Sequence, residues 1–164
     1  MSTNYRASAA PTITLASLAS SSSRTVGRVS ASLSNASNRD DFAMPYLRVR
    51  SDGLVSAGGQ IELWAFARRA DSAWPELFTA AYTGVDAAAT VVSRDILVAG
   101  AVLLGTATND ATSGRDYVIR GRELAMAFGA LPQEVGFFVT QSTGQALDST
   151  AGSHALTVNT GNYA

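Results

Sequence analysis

The 164-residue sequence has no cysteine, no lysine and a single histidine. Without cysteine there is no thiolate nucleophile and no Cys-based zinc site, and the redox compartment leaves no trace. Without lysine the phosphate-binding pattern G-x-x-x-x-G-K-[ST] is impossible. G-x-G-x-x-G is absent too, so nucleotide hydrolysis by a P-loop is excluded. Charge is scarce: 15% of residues are charged and the net charge is −1. A chain so nearly neutral has no general attraction for nucleic acid or an anionic membrane. Long apolar runs are missing as well. The most apolar stretch, "ILVAGAVLLG" at 96–105, is about half the length of a membrane span and contains glycine. The start, "MSTNYRASAAPTITLAS", lacks the apolar core of a secretory signal. The expectation is a soluble protein made in a cytoplasm.

What is present is a hydrophobic fraction of 46% that leans on alanine, with abundant Ser, Thr and Gly. This length suits one domain whose core needs no staple. All twelve basic residues are arginine. That follows from a GC-rich coding sequence, or from the use of guanidinium forks at an interface.

Alternation of apolar and polar residues locates the strands. Val29, Ala31 and Leu33 alternate with Arg28, Ser30 and Ser32. In "MPYLRVR" Leu47 and Val49 share a face, opposite Tyr46, Arg48 and Arg50. "GQIELWAFARR" (59–69) sets Ile61, Leu63, Ala65 and Ala67 against Glu62, Trp64, Phe66 and Arg68. Aromatics on the nominally polar side imply that both faces are covered. Residues 95–108 read as a buried strand bending at Gly100, and 117–121 as a short strand. Residues 134–141 and 153–160 read as two strands joined by a Gly/Ser/Thr loop. "RELAMAFGALP" (122–132) is the helix candidate, with Gly129 as its cap and Pro132 barring continuation. Asp52-Gly53 and Gly58-Gly59 read as turns, 70–93 as a long decorated loop, and residues 1–11, ending at Pro11, as a flexible arm. The expected fold is therefore all-β: a single-domain β-sandwich over 12–164, of jelly-roll type, with one short helix near 122–129.

Chemistry-bearing patterns are weak. A Ser-His-Asp arrangement would need His154, with Ser153 and Asp148 close in sequence, yet there is no G-x-S-x-G elbow. The acidic stretches "NRDD" (38–41), "SDG" (51–53) and "NDATSGRD" (109–116) lack the calcium-loop register and read as turns in which Asp and Asn bond their own backbone. Glu62, Glu76, Glu123 and Glu134 form no recognisable acid pair. No catalytic, cofactor or metal residue is therefore assigned. Trp64, Phe66, Trp74 and Tyr82 make either a sugar-binding platform or core packing, and core packing is preferred. Arg48, Arg50, Arg68 and Arg69 lie on two strands that read as neighbours. From these groups Arg48, Arg50, Arg68 and Trp74 are the expected partner contacts.

Three segments, "TITLASLASSSSRTVGRVSASLSNASN", "GGQIELWAFA" and "VGFFVTQSTGQALDSTAGSHALTVNTGNYA", occur in that order. Together they resemble small structural proteins of tailed bacteriophages, of the capsid decoration or cement type. The resemblance runs from about residue 12 to the C-terminus, and 70–93 contributes nothing to it. It implies a non-enzymatic β-sandwich on the capsid surface of the virion. Such a protein self-associates as a trimer or dimer and binds the major capsid protein, with no nucleic-acid, membrane, cofactor or small-molecule partner. A neck, tail or fibre-base component and a glycan-binding module are the alternatives.

Overall fold

The computed structural model describes residues 3–52 and 57–163. Among these residues ten strands form two antiparallel sheets. The front sheet has the order β1-β10-β4-β8, from Thr3–Tyr5, Ala155–Tyr163, Phe42–Arg50 and Asp116–Arg120. The back sheet has the order β6-β2-β9-β5-β7, from Ala87–Thr90, Val26–Val29, Glu134–Gln141, Gln60–Ala67 and Val102–Thr108. The short β3 (Leu33–Ser34) also pairs with β9. The protein is an all-β sandwich, and most successive strands after β4 switch sheets, as in jelly-roll windings.

Alternation explains which residues meet. Leu47 and Val49 of β4, Ile119 of β8, and Leu156 and Val158 of β10 pack on Ile61, Leu63 and Ala65 of β5 and Val135, Phe137 and Val139 of β9. Each of these Leu, Ile, Val and Phe side chains contributes about 1.5–3 kcal/mol on burial. The opposite face of the back sheet carries a second core, in which Val29, Trp64, Phe66 and Phe138 meet Leu77, Phe78, Tyr82, Val91 and Leu97. The covering layer is the chain from about 70 to 101. The Phe66 ring receives Trp74, Phe78 and Tyr82 edge-on or nearly so, at centroid distances of 5.7, 5.3 and 4.9 Å. Gly136 leaves room for this cluster, since a Cβ there would lie 2.5 Å from the Phe66 ring. β5 and β9 are thus buried on both faces, as the aromatics of β5 implied.

The helix expected near 122–129 is α2, Leu124–Phe128. Glu123 caps its first turn by accepting from the N–H groups of Ala125 and Met126, and Gly129 ends it at φ 82°. A second helix, α1 (Arg94–Gly100), replaces the first half of the strand expected over 95–108. Ser93 caps it by accepting from the Ile96 N–H, Asp95 sits in its first turn, and Leu97 anchors it in the second core. Only 102–108 is extended, and its pairing with β5 shifts by one residue between Leu63 and Trp64.

Two further expectations are corrected, the adjacency of β4 and β5 and the single strand over 28–33. The strands expected over 134–141 and 153–160 are β9 and β10, the latter starting at Ala155, and since β9 lies in the back sheet and β10 in the front, the loop between them crosses the sandwich. β4 and β5 likewise lie in different sheets and are not neighbours. The strand expected over 28–33 divides into β2 and β3. Between them the buried Ser30 accepts the Phe137 N–H on its Oγ and donates that hydroxyl to the Ala31 carbonyl. Residues 3–9 of the segment expected as an arm run beside β10, through the pairs Thr3–Tyr163, Asn4–Asn162 and Tyr5–Gly161 and a bridge from Ala9 to Val158. Gly58 turns at φ 88°, whereas the expected Asp52-Gly53 turn lies partly outside the described residues. Among the described residues no helix is long and apolar enough to cross a membrane.

Candidate functional site

His154 sits at the entry to β10. Its Nδ1 accepts the Arg50 N–H at 3.3 Å, so Nε2 carries the proton and donates to the Asp148 carbonyl at 2.9 Å. Both ring nitrogens therefore serve backbone groups. The Asp148 carboxylate faces elsewhere, accepting from the Thr150 N–H at 2.7 Å and the Ser153 hydroxyl at 3.2 Å. The Thr150 bonds, then those of Ser153 and the Arg50 guanidinium, outweigh burial and hold Asp148 below the usual carboxylate range. The three side chains are close but form no Ser–His–Asp relay: they lock the loop before β10 onto β4.

Of the acidic stretches, 109–116 acts as a turn, 38–41 instead offers its buried Asp40 to Arg6, and 51–53 lies partly outside the described residues. Asp110 accepts the Thr112 N–H at 3.1 Å, and its carboxylate also receives the Tyr117 hydroxyl at 2.9 Å. Among the described residues no group of three or more His, Asp or Glu side chains could hold a metal ion. Nor do the glutamates pair. Glu123 caps α2, and Glu134 receives Arg68 at 2.8 Å. Glu62 is buried on the outer side of β5. It accepts the Trp64 indole N–H at 2.8 Å and is held by Arg94 at 2.7 Å and Arg24 at 3.2 Å. The Arg94 guanidinium also lies 5.1 Å from the centre of the Trp64 ring. This cluster fastens α1 to the back sheet. Glutamate on a strand face with Trp and Phe gave no sign in the sequence of two distant arginines.

The four aromatics considered as a sugar platform are used for packing. Trp64, Phe66 and Tyr82 are buried, and half-buried Trp74 packs edge-on against Phe66 and Tyr82. Burial pushes the Tyr82 phenol well above its ordinary range, with Glu134 adding to the effect, while its hydroxyl donates to the Ser30 carbonyl at 2.8 Å.

The expected partner contacts separate into two groups. Arg68 lies just beyond β5 in the back sheet, held by Glu134 and the Ser72 carbonyl, and Trp74 belongs to the covering layer. Arg48 and Arg50 stand on the outward face of the front sheet. Arg48 donates to the Gly152 carbonyl at 2.9 Å, and Arg50 lies 3.9 Å from both Asp116 and Asp148. Arg48 and Arg50 therefore share no surface strip with Arg68 and Arg69, because β4 and β5 belong to opposite sheets.

The outward face of the front sheet is the candidate site. The back sheet has its outer face covered by 70–101 over β5 and β9, with Leu103 of β7 and Val26 of β2 left exposed, whereas across β4 and β8 the front sheet presents side chains to solvent. Register places Tyr46 opposite Arg120 and Arg48 opposite Val118, with Met44 opposite Asn159 of β10. Met44, Tyr46 and Val118 are 38%, 37% and 44% exposed. Met, Tyr and Arg are the side chains enriched at protein interfaces. Arg48 and Arg50 are the expected contacts that fall on this face, while Met44, Val118 and Arg120 gave no sign in the sequence because their neighbourhood depends on pairing between strands some 70 residues apart. No protein-family model matches this chain, and no curated protein matches it.

Proposed function

We propose that this protein is a non-enzymatic structural component of a tailed-bacteriophage virion. It decorates the capsid by laying the outward face of its front sheet on the major capsid protein and by associating with further copies of itself. The observation that carries the reading is the asymmetry of the sandwich. The central strands of the back sheet, β5 and β9, are covered on both sides, and the front sheet leaves an open face of Met44, Tyr46, Arg48, Val118 and Arg120 beside largely Ser/Thr/Gly-rich loops. The three segments that resemble decoration proteins support it from the sequence side. The use of His154, Asp148, Glu62 and Glu123 as structural fasteners is in keeping with a protein that performs no chemistry.

Met44, Tyr46, Arg120 and Asn159 border a shallow hollow on this face, and repetition over a symmetric lattice would add to whatever strength a single contact supplies. The test is quantitative mass spectrometry of purified particles. Decoration predicts copies on the order of hundreds per particle, while about a dozen would place the chain in a neck or tail ring. Absence from purified particles would overturn the reading.

A further inference from the structure

We propose that the N-terminal strand is exchangeable. The groove beside β10 that holds residues 3–9 of its own chain takes the same segment from a second copy, linking the two molecules. This deepens the self-association in the reading above, but it concerns the free protein and is measured there. Its failure would leave the virion assignment standing, and the reverse also holds.

The groove is built for this segment in particular. Arg6 places its Nε 2.5 Å from Asp40 Oδ1, and the Asp40 side chain is only 2% exposed. The Arg6 N–H donates to the Thr160 carbonyl at 2.9 Å, and its guanidinium reaches the Asn38 carbonyl and Asn162 Oδ1. Ser8 donates to Asn159 Oδ1 at 2.6 Å, and the Tyr5 ring meets Phe42 edge-on at 5.4 Å. At Gly161 a Cβ would stand 2.2 Å from the Asn4 carbonyl oxygen, so the strand lies where any side chain would block it. A vacated groove would leave the edge of β10 unpaired and the buried Asp40 carboxylate without its guanidinium. Both are costly, so the groove demands an occupant of this sequence.

The segment lies at the outer edge of its sheet. Residues 3–8 are all exposed, and β1 is the end strand of its sheet. Only Ala10 and Pro11 separate the last pairing in the groove, Ala9 with Val158, from the first anchor in the body, where the Ala31 N–H donates to the Thr12 carbonyl at 2.7 Å. Proline keeps the residue before it extended, and an extended junction serves a strand leading to a neighbour as well as one folded back. The contacts made in a second copy are the same as those made at home. Exchange therefore costs only the freedom lost on association, a cost that falls when copies are crowded on a lattice.

The test exploits the absence of native cysteine. Full-length Ser8→Cys protein is mixed with size-tagged full-length Asn159→Cys protein and oxidised. A Ser8→Cys/Asn159→Cys double variant serves as the control for closure within one chain. Exchange predicts a covalent heterodimer on non-reducing gels. Internal closure of the double variant with no heterodimer in the mixture overturns the proposal. Should neither bond form, sedimentation velocity of the unmodified chain decides. A dimer that grows with concentration and is lost in Arg6→Glu supports exchange. A monomer at every concentration, or a dimer indifferent to Arg6→Glu, overturns it.

Discussion

Arg94 at the start of α1 holds Glu62 in the middle of β5 at 2.7 Å, across 32 residues of chain, and the Glu62 side chain is only 4% exposed. A buried carboxylate is tolerable only when paired and hydrogen-bonded, and here Arg94, Arg24 and the Trp64 indole together satisfy it. This contact joins the covering layer to the sandwich.

Replacing Arg94 with methionine strips Glu62 of its closest cation while keeping much of the side-chain volume. The expected loss is about 2–3 kcal/mol, less than for a fully buried pair because Arg24 and Trp64 remain and Arg94 is partly exposed. Urea denaturation followed by tryptophan fluorescence measures it. The Glu62→Gln/Arg94→Met double variant should recover part of the loss, since the stranded charge is then gone.

Asp86 sets part of the acid limit of stability. Burial disfavours its ionised form, but the Arg28 guanidinium at 2.6 Å and the Thr14 hydroxyl at 2.5 Å outweigh burial and hold its carboxyl below the usual range. A carboxyl depressed in the folded state stabilises fully above its unfolded pKa of about 3.9, and that contribution disappears as pH falls through the lower folded value. Denaturation curves from about pH 5 down to about pH 2 should therefore fall less steeply for Asp86→Asn than for the parent. Parallel curves would show that Asp86 makes no such contribution.

Ser93→Ala removes the side-chain acceptor for the Ile96 N–H at the start of α1. The expected cost is about 1 kcal/mol. Hydrogen exchange should show faster amide exchange in 94–100 than in β5, because the helix opens before the sheet it covers.

Local pattern made β4, β5, β8, β9 and the start of β10 legible, along with α2, whose Glu123, Gly129 and Pro132 mark its limits. It misled at "ILVAGAVLLG", where a short apolar run has no period that separates a buried strand from a helix. The preceding Ser93-Arg94-Asp95 was the available sign of a helix start. Partnership between strands was the least legible. Nothing local to Arg48 or Arg68 reveals that β4 and β5 lie in opposite sheets, and nothing near Met44 points to Val118 or Arg120. The groove for the N-terminal strand was invisible for the same reason: Arg6 and Asp40 are ordinary polar residues until β10 brings them together. In the stretch around His154 both strands were read correctly. Their assignment to opposite sheets depends on partners far away in the chain.

The central claim is that the front sheet is the capsid-facing side of a virion protein. An electron cryomicroscopy reconstruction of the particle carrying this chain tests it most directly. The account predicts density for the sandwich on the capsid surface, with Met44, Tyr46, Val118 and Arg120 against the shell and the 70–101 layer turned outward. Density with the 70–101 layer against the shell would contradict the orientation, and density for the chain only in the neck or tail would contradict the decorating role.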